Sequence, residues 1–543
     1  MAEHSYDNSY KRTVLFESDA FEVVSIEWFK DSFSPEHNHG WSQCSVLVQD
    51  GLFENTLDMG GKIEIQLAEV GQVITTPIGA KHGLRCLSNG GKTLHVYTPK
   101  IESRKIEGRF HAPIQNLNAS ELKLSEPMRI NELKSLLNRI QSLSISTHSP
   151  YFMNQLFSGI MPQMLMAESL IAQTRTTLAT QEASPVFSKI EEEVIDELGN
   201  LIGWPKTKRD GVNVPGGSAA NFMAIHCARQ KKFPEYKKTG TTSGGLRIYV
   251  SDQAHYSFKK AAVTLGIGSD NVISIGSDER GRLRVELLAK QIKADIEAGK
   301  TPLIVVATAG TTVLGAFDPI EEIEKICRAH SIWLHVDGAW GGPALFSDNT
   351  KQLLSGISLA DSVTFDAHKL FGASLTCSFI LTKHVGLLRE SNDVSGGDYL
   401  FHPTDTSVDR GKLSWQCGRG ADAMSFWTIW KSYGTQGLGN LVDSLIQIRQ
   451  ETESWVKEQP RLELVAEASF LNLCVRIRPP IDQAVLDAKQ WSKTVREKLI
   501  KDDLAMVNYS ENENGTFLRL IYAHPELEFE HVKQILKWSL EVK

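Results

Sequence analysis

The chain has 543 residues, enough for several units that each bury a core, and its 41% hydrophobic and 23% charged residues exclude collagen-like and disordered classes. A net charge of −7 excludes a dominant nucleic-acid or acidic-membrane footprint, because phosphate binding needs a clustered basic surface. Seven cysteines, with no Cys-x-x-Cys pair, fit reduced thiols in a cytoplasmic protein better than a disulfide framework.

The first residues, Met-Ala-Glu-His-Ser-Tyr-Asp, lack the apolar stretch of a signal peptide, and apolar runs such as 303–307 are far short of a membrane span. The expected partner is therefore a small molecule, with neither nucleic acid nor membrane involved. Residues 14–99 alternate short apolar runs (21–28, 45–48, 63–67, 73–75, 94–97) with Gly, Asn and Pro turn signals, which predicts an all-β barrel or sandwich over 1–104. A charged stretch at 100–109 and helical spacing over 120–143 predict a connecting arm within 105–150.

From residue 184 the pattern becomes α/β. Ser184-Pro185 reads as a helix start, with Phe187, Ile190, Val194, Leu198 and Leu201 on one face. Strands are predicted at 247–251, 303–308, 332–337 and 362–366, with a helix at 319–330, which gives a largely parallel sheet in a large domain over 151–420. A helix at 438–455 and strands at 470–476 and 517–522 predict a smaller α+β domain over 421–543.

Ligands in such sheets sit outside the carboxyl ends of the strands, where Thr308, Asp337 and Lys369 fall. A lysine amine can form a Schiff base with the aldehyde of pyridoxal phosphate, and a carboxylate can keep the pyridine nitrogen protonated so that the ring withdraws electrons. Pro215-Gly216-Gly217-Ser218-Ala219-Ala220-Asn221, ahead of an amphipathic helix, offers backbone N–H groups and a positive dipole end to a phosphate.

Seven segments in this order, 152–159, 215–221, 255–257, 307–312, 335–342, His368-Lys369 and Gln416-Cys417-Gly418-Arg419, resemble the group II pyridoxal phosphate-dependent decarboxylases. The resemblance spans roughly 106–543 and implies a fold-type-I enzyme, acting as a homodimer. It implies Lys369 as the Schiff-base lysine, Asp337 as the pyridinium partner, and His255 and Ala339 against the two ring faces. Thr308 would bond near the ring, and Gly217, Ser218, Ala219 and His368 would hold the phosphate.

Arg419 would bind an acidic substrate through its planar fork, with Phe157 and Ser158 nearby. The segment 154–159 looks most like that of the cysteine sulfinate decarboxylases. This chain departs from the pattern at three places. Residues 402–415 contain no tyrosine, which leaves His255 and His402 as proton-donor candidates; Gln181 stands where relatives carry tyrosine; and Asp366-Ala367 replaces Asn-Pro.

In the β segment, His37, His39 and His82 have the ligand chemistry of a mid-row divalent metal such as Fe(II). His37-x-His39-x4-Cys44-x6-Gly51 and Gly71-x5-Pro77-x-Gly79-x2-His82 resemble the two cupin motifs, and Cys44 in place of glutamate resembles cysteine dioxygenase. That resemblance covers about the first 100 residues. It implies Arg12 as a substrate-carboxylate residue, His95 and Tyr97 as active-site residues, and a Cys44–Tyr97 pair open to thioether formation. Together the two resemblances imply a bifunctional enzyme taking cysteine to cysteine sulfinate and on to hypotaurine, in taurine synthesis. The alternatives are decarboxylation of glutamate or aspartate, and a silent cupin serving as a sensor or binding module.

Overall fold

The computed structural model describes residues 10–17, 22–37, 43–58, 63–76, 81–98, 123–124, 127–240, 245–394, 396–397, 399–402, 409–480 and 488–542. They form two compact units, Met1–Glu107 and Gly108–Lys543.

The first unit is built only of strands: β1 (Tyr10–Glu17), β2 (Glu22–Phe29), β3 (Phe33–His37), β4 (Gln43–Asp50), β5 (Phe53–Asp58), β6 (Ile63–Ala68), β7 (Val73–Thr76), β8 (Lys81–Cys86) and β9 (Gly90–Thr98). They lie in two antiparallel sheets, ordered β1-β2-β9-β4-β7 and β3-β8-β5-β6. Alternation sends Val24, Ile26, Trp28, Val46 and Val48 of one sheet and Phe53, Leu84 and Cys86 of the other into a shared core. The expected closed barrel is not found: among the described residues no strand pair joins one sheet to the other. Apolar packing between faces closes this core without a closed hydrogen-bond circuit.

The second unit opens with α1 (Ile130–Leu143), which begins ten residues later than the pattern predicts, and the short strand β10 (Phe152–Met153). There follow α2 (Pro162–Thr174), α3 (Pro185–Ile202), β11 (Asp210–Pro215), α4 (Gly217–Lys232), α5 (Tyr236–Thr239), β12 (Leu246–Ser251), α6 (Ser257–Thr264), β13 (Val272–Ile275), α7 (Val285–Glu297), β14 (Thr301–Thr308), α8 (Ile320–His330), β15 (Trp333–Gly338), β16 (Ser362–Asp366), β17 (Cys377–Thr382) and α9 (Leu387–Asn392). The seven strands from β11 to β17 form one sheet, ordered β11-β17-β16-β15-β14-β12-β13, in which only β17 runs against the rest. Strand β15 and all of β14 after Thr301 are buried, because apolar cores cover both faces of the sheet.

The chain ends with α10 (Ala423–Lys457), β18 (Leu462–Leu464), β19 (Asn472–Ile477), α11 (Trp491–Lys501), β20 (Met506–Asn512), β21 (Gly515–Ile521) and α12 (Phe529–Glu541). Helix α10 starts well before the predicted residue 438 and bends at Gly434, whose φ of 66° leaves the helical region. The second sheet, β10-β20-β21-β19-β18, takes its edge strand β10 from ahead of the large sheet, through parallel pairing of Phe152 with Met506. Among the described residues no helix is long and apolar enough to cross a membrane.

Sequence periodicity misplaces one helix face. Of the predicted face Val194 and Leu198 are buried, together with Ser188, Glu191, Ile195 and Ile202, whereas Phe187, Ile190 and Leu201 are only partly buried. A fully buried glutamate breaks the apolar pattern, and its partners come from far along the chain.

Candidate functional site

Four parallel strands deliver the central residues. β14 ends at Thr308, β15 carries Asp337 at its penultimate position, β16 ends at Asp366 just before His368-Lys369, and the turn after β12 carries His255. β11 leads into α4 through Gly216, whose φ of +94° favours glycine, so that Gly217, Ser218 and Ala219 form the first turn of a 16-residue helix. The Ala219 N–H turns back to the Gly216 carbonyl at 2.9 Å, so the N–H groups of Gly217 and Ser218 and the positive end of the helix are what favour an anion.

Asp337 is buried and held at both oxygens: Asn221 Nδ2 donates to Oδ2 at 2.9 Å and the Ala339 N–H to Oδ1 at 3.2 Å. Asn221 Nδ2 also donates to Ser257 Oγ at 3.0 Å, while its Oδ1 accepts from Thr364 Oγ1 at 2.8 Å. His335 Nε2 lies 3.1 Å from the same Oδ1 and Nδ1 lies 2.8 Å from Ser362 Oγ, so the imidazole proton sits on Nε2. Burial pulls His335 down to about 4, against the pull of Asp337, and keeps it neutral. A carboxylate so anchored can face a cationic ring nitrogen without turning away.

Burial also lowers His255 below the ordinary imidazole value, opposed by the charge of Asp337; Lys369 and Asp366 act on the same ring. The Ser257 N–H donates to His255 Nδ1 at 3.3 Å, which puts the proton of the neutral ring on Nε2. Lys369 Nζ lies 3.1 Å from Asp366 Oδ2. His368 Nδ1 donates to the Cys377 carbonyl at 3.0 Å.

Thr308 is fixed through its backbone N–H, which donates to Asp318 Oδ2 at 2.7 Å, while the Leu283 N–H donates to Oδ1 at 2.7 Å. Burial raises Asp318 to about 7, although both N–H groups favour its charged form. Thr308 Oγ1 is buried without a hydrogen-bond partner among the described residues, which is unusual for a native hydroxyl. This orphan hydroxyl, the open first turn of α4 and the Asp337–Lys369 pair fit pyridoxal phosphate.

Arg419 is placed differently from its expected role in gripping an acidic substrate. It is 4% exposed, with Nη2 donating to Glu191 Oε1 at 2.7 Å and to the Asn213 carbonyl at 3.0 Å, and Nη1 to the Leu178 carbonyl at 3.2 Å. Arg410 Nε reaches the same Glu191 oxygen at 3.2 Å, and the Asn213 N–H donates to it at 2.8 Å. Burial alone would raise Glu191, but Arg419 and Arg410 hold its carboxyl below the usual range. The carboxylate in the fork of Arg419 is therefore the protein's own.

Ser158 is also engaged, its hydroxyl donating to the Phe152 carbonyl at 2.8 Å, and the Phe157 ring packs 6.1 Å from that of Phe152. Among the described residues no hydrogen bond links Phe157 or Ser158 to Asp337, His255 or Lys369. His402 is exposed at the border of the described residues. Sequence reasoning did not assign roles to Glu191, Asp318, Asn221 and His335. The last two lie inside motifs already singled out, whereas nothing local marks the first two.

In the first unit, cross-strand register sets Cys44 opposite Tyr97, and His95 two residues away faces the same interior. His95 Nδ1 lies 3.8 Å from Cys44 Sγ and 3.2 Å from Tyr97 Oη, and Thr93 Oγ1 lies 2.8 Å from Nε2. Burial pushes the Cys44 thiol up to about 12, despite a hydrogen bond with Tyr97, so it is protonated at neutral pH. Arg12 Nη2 is paired with Glu22 Oε1 at 2.7 Å. The guanidinium expected to take a substrate carboxylate thus already faces one.

His82 is buried with its Nδ1 3.0 Å from Asn55 Oδ1, and His37 is its cross-strand partner. The His37 side chain and all of His39 lie outside the described residues. Among those described, no group of three His, Cys, Asp or Glu could hold a metal ion.

Residues 116–478 match the pyridoxal-dependent decarboxylase conserved domain. Human cysteine sulfinic acid decarboxylase is 36% identical over 409 residues, covering 73% of this chain and 83% of the relative. The Xenopus tropicalis acidic amino acid decarboxylase GADL1 is 35% identical over 418 residues, covering 75% and 81%. The crystal structure of mouse CSAD in apo form superposes with a TM-score of 0.73 at 34% identity, covering 79% of this chain and 92% of that one. The Oryza sativa TDC structure with PLP and tryptamine, at 24% identity and a TM-score of 0.72, shares the fold.

Proposed function

The chain belongs to the pyridoxal-dependent decarboxylase family, and from that premise we propose that its second unit removes the α-carboxylate of cysteine sulfinate to give hypotaurine. Bound pyridoxal phosphate would supply a ring that accepts the electrons of the breaking carbon–carbon bond. Asp337, fixed by Asn221 and Ala339, holds the proton at the ring nitrogen. Lys369 would present its amine to the aldehyde, and the first turn of α4 would hold the phosphate. Thr308 Oγ1 would offer a hydrogen bond for which the described residues supply no partner.

His255 carries a proton on Nε2 in its neutral form, and we assign it the return of a proton to the substrate carbon after carbon dioxide leaves. The observation that carries the reading is that Asp337, His255, Lys369 and the start of α4 all follow or end strands of one sheet at their carboxyl ends. The choice of cysteine sulfinate follows the names of the relatives, because Arg419 faces Glu191.

The test is carbon dioxide release from cysteine sulfinate, glutamate and aspartate by the cofactor-loaded protein. The expected order has cysteine sulfinate first. Turnover of glutamate or aspartate with none of cysteine sulfinate would overturn the substrate.

One observation favours a second activity, oxidation of cysteine to its sulfinate by a cupin-like first unit: the buried contact of Cys44, His95 and Tyr97. The described residues supply His82 but no three-ligand metal group, so no step through Fe(II) follows from them. Oxygen uptake by iron-loaded protein on adding cysteine is the expected result. Iron retention without uptake would overturn this activity.

A further inference from the structure

We propose that Asp366 is a resident anion at the phosphate end of the cofactor site, pairing with Lys369 in the cofactor-free protein and weakening the hold on the cofactor's phosphate. This rests on the pyridoxal phosphate reading above. Asp366 is the last residue of β16 and is buried. Its Oδ1 accepts from Ser378 Oγ at 2.6 Å, and its Oδ2 lies 3.1 Å from Lys369 Nζ and 4.0 Å from His368 Nε2.

The same carboxylate abuts α4. A Cβ on Gly217 would fall 2.6 Å from Asp366 Oδ2 and 2.9 Å from Oδ1. Glycine is thus what lets the carboxylate lie against the first residue of the helix, where the dipole welcomes one negative charge. One buried side chain therefore contacts the amine and both elements that would hold the phosphate, His368 and the helix start.

A phosphate arriving there meets a fixed like charge at close range, in surroundings where water screens little. Asparagine at this position has the same shape, retains an oxygen to accept from Ser378 and adds an N–H donor for the phosphate. Replacing Asp366 by asparagine removes the repulsion without opening a cavity. The effect acts through phosphate, so a cofactor form that lacks phosphate discriminates it from an effect on Lys369.

The experiment strips the cofactor from full-length wild type and Asp366→Asn, then titrates back either pyridoxal phosphate or pyridoxal while following absorbance. Asp366→Asn is expected to bind pyridoxal phosphate at least about tenfold more tightly, equivalent to about 1.4 kcal/mol, and pyridoxal within about threefold of wild type. Unchanged or weaker binding of pyridoxal phosphate would overturn the proposal. An equal gain for pyridoxal would also overturn it, by assigning the effect to Lys369 alone. Circular dichroism checks the fold, and Asp366→Ser takes the same test should the asparagine variant unfold. Wild type that binds neither compound refutes the cofactor reading itself, whereas binding without a difference between variants refutes only the role of Asp366.

Discussion

Replacing Glu191 by glutamine separates a structural Arg419 from one available to substrate. In wild type, Glu191 is fully buried and one of its oxygens takes Arg419 Nη2 at 2.7 Å, Arg410 Nε at 3.2 Å and the Asn213 N–H at 2.8 Å. Glutamine keeps the shape and an acceptor oxygen but leaves the buried Arg419 guanidinium without a countercharge, while Arg410 keeps Glu192 Oε1 at 3.4 Å. Removing one partner of a buried ion pair costs about 3–5 kcal/mol. For a cooperative unit of this size, at about 2.1 cal/mol/K per residue, that lowers the thermal midpoint by roughly 3–5 °C. Thermal denaturation of the cofactor-loaded protein at neutral pH measures it.

The pH dependence gives a second arm. Glu191 is held below its ordinary value of 4.5, so its contribution is fully present above that pH and is lost as pH falls through the lower folded value. The wild-type and Glu191→Gln midpoints should therefore differ by a constant amount above about pH 5 and converge under acid. A variant with wild-type stability and tighter binding of cysteine sulfinate would refute the reasoning, since it would mean that Arg419 turns readily from Glu191 to substrate.

Two further changes probe the centre. Thr308→Val removes a buried hydroxyl that has no partner, so the cofactor-free protein should gain roughly 1 kcal/mol while cofactor retention weakens, read by urea titration and dialysis; a loss of stability in the cofactor-free protein would contradict the orphan assignment. His255→Phe keeps a flat ring but deletes the Nε2 proton, and turnover should fall roughly 100-fold or more with cofactor absorbance retained. Full activity would shift the protonation role to another group, with His402 next to be replaced.

The legible parts of the molecule are those whose signal is local. Strands β14, β15 and β16 appear as apolar runs because both faces of the sheet are covered, and the polar residues at their ends follow directly. The choice between barrel and two-sheet sandwich in the first unit was not legible, because alternation shows which residues face inward but not whether the last strands hydrogen-bond. The face of α3 was misread because Glu191 looks solvent-facing until Arg410 and Arg419, more than 200 positions away, are folded against it. Likewise β10 joins the sheet of the C-terminal residues through two residue pairs, too short a run to carry a pattern.

The carboxylates inside the second unit differ in what surrounds them, and that difference sorts their roles. Glu191 meets two arginines, so its charge is fully matched and serves to fix the Gln-Cys-Gly-Arg segment against α3 and β11. Asp318 meets only backbone N–H groups and is raised to about 7, which suits a clamp on the ends of neighbouring segments. Asp337 is held by neutral donors alone, Asn221 and the Ala339 N–H, with a neutral His335 behind them. A charge anchored without a fixed countercharge leaves its electrostatic attraction for a cation that arrives with the cofactor, which is what a partner to a protonated ring nitrogen requires.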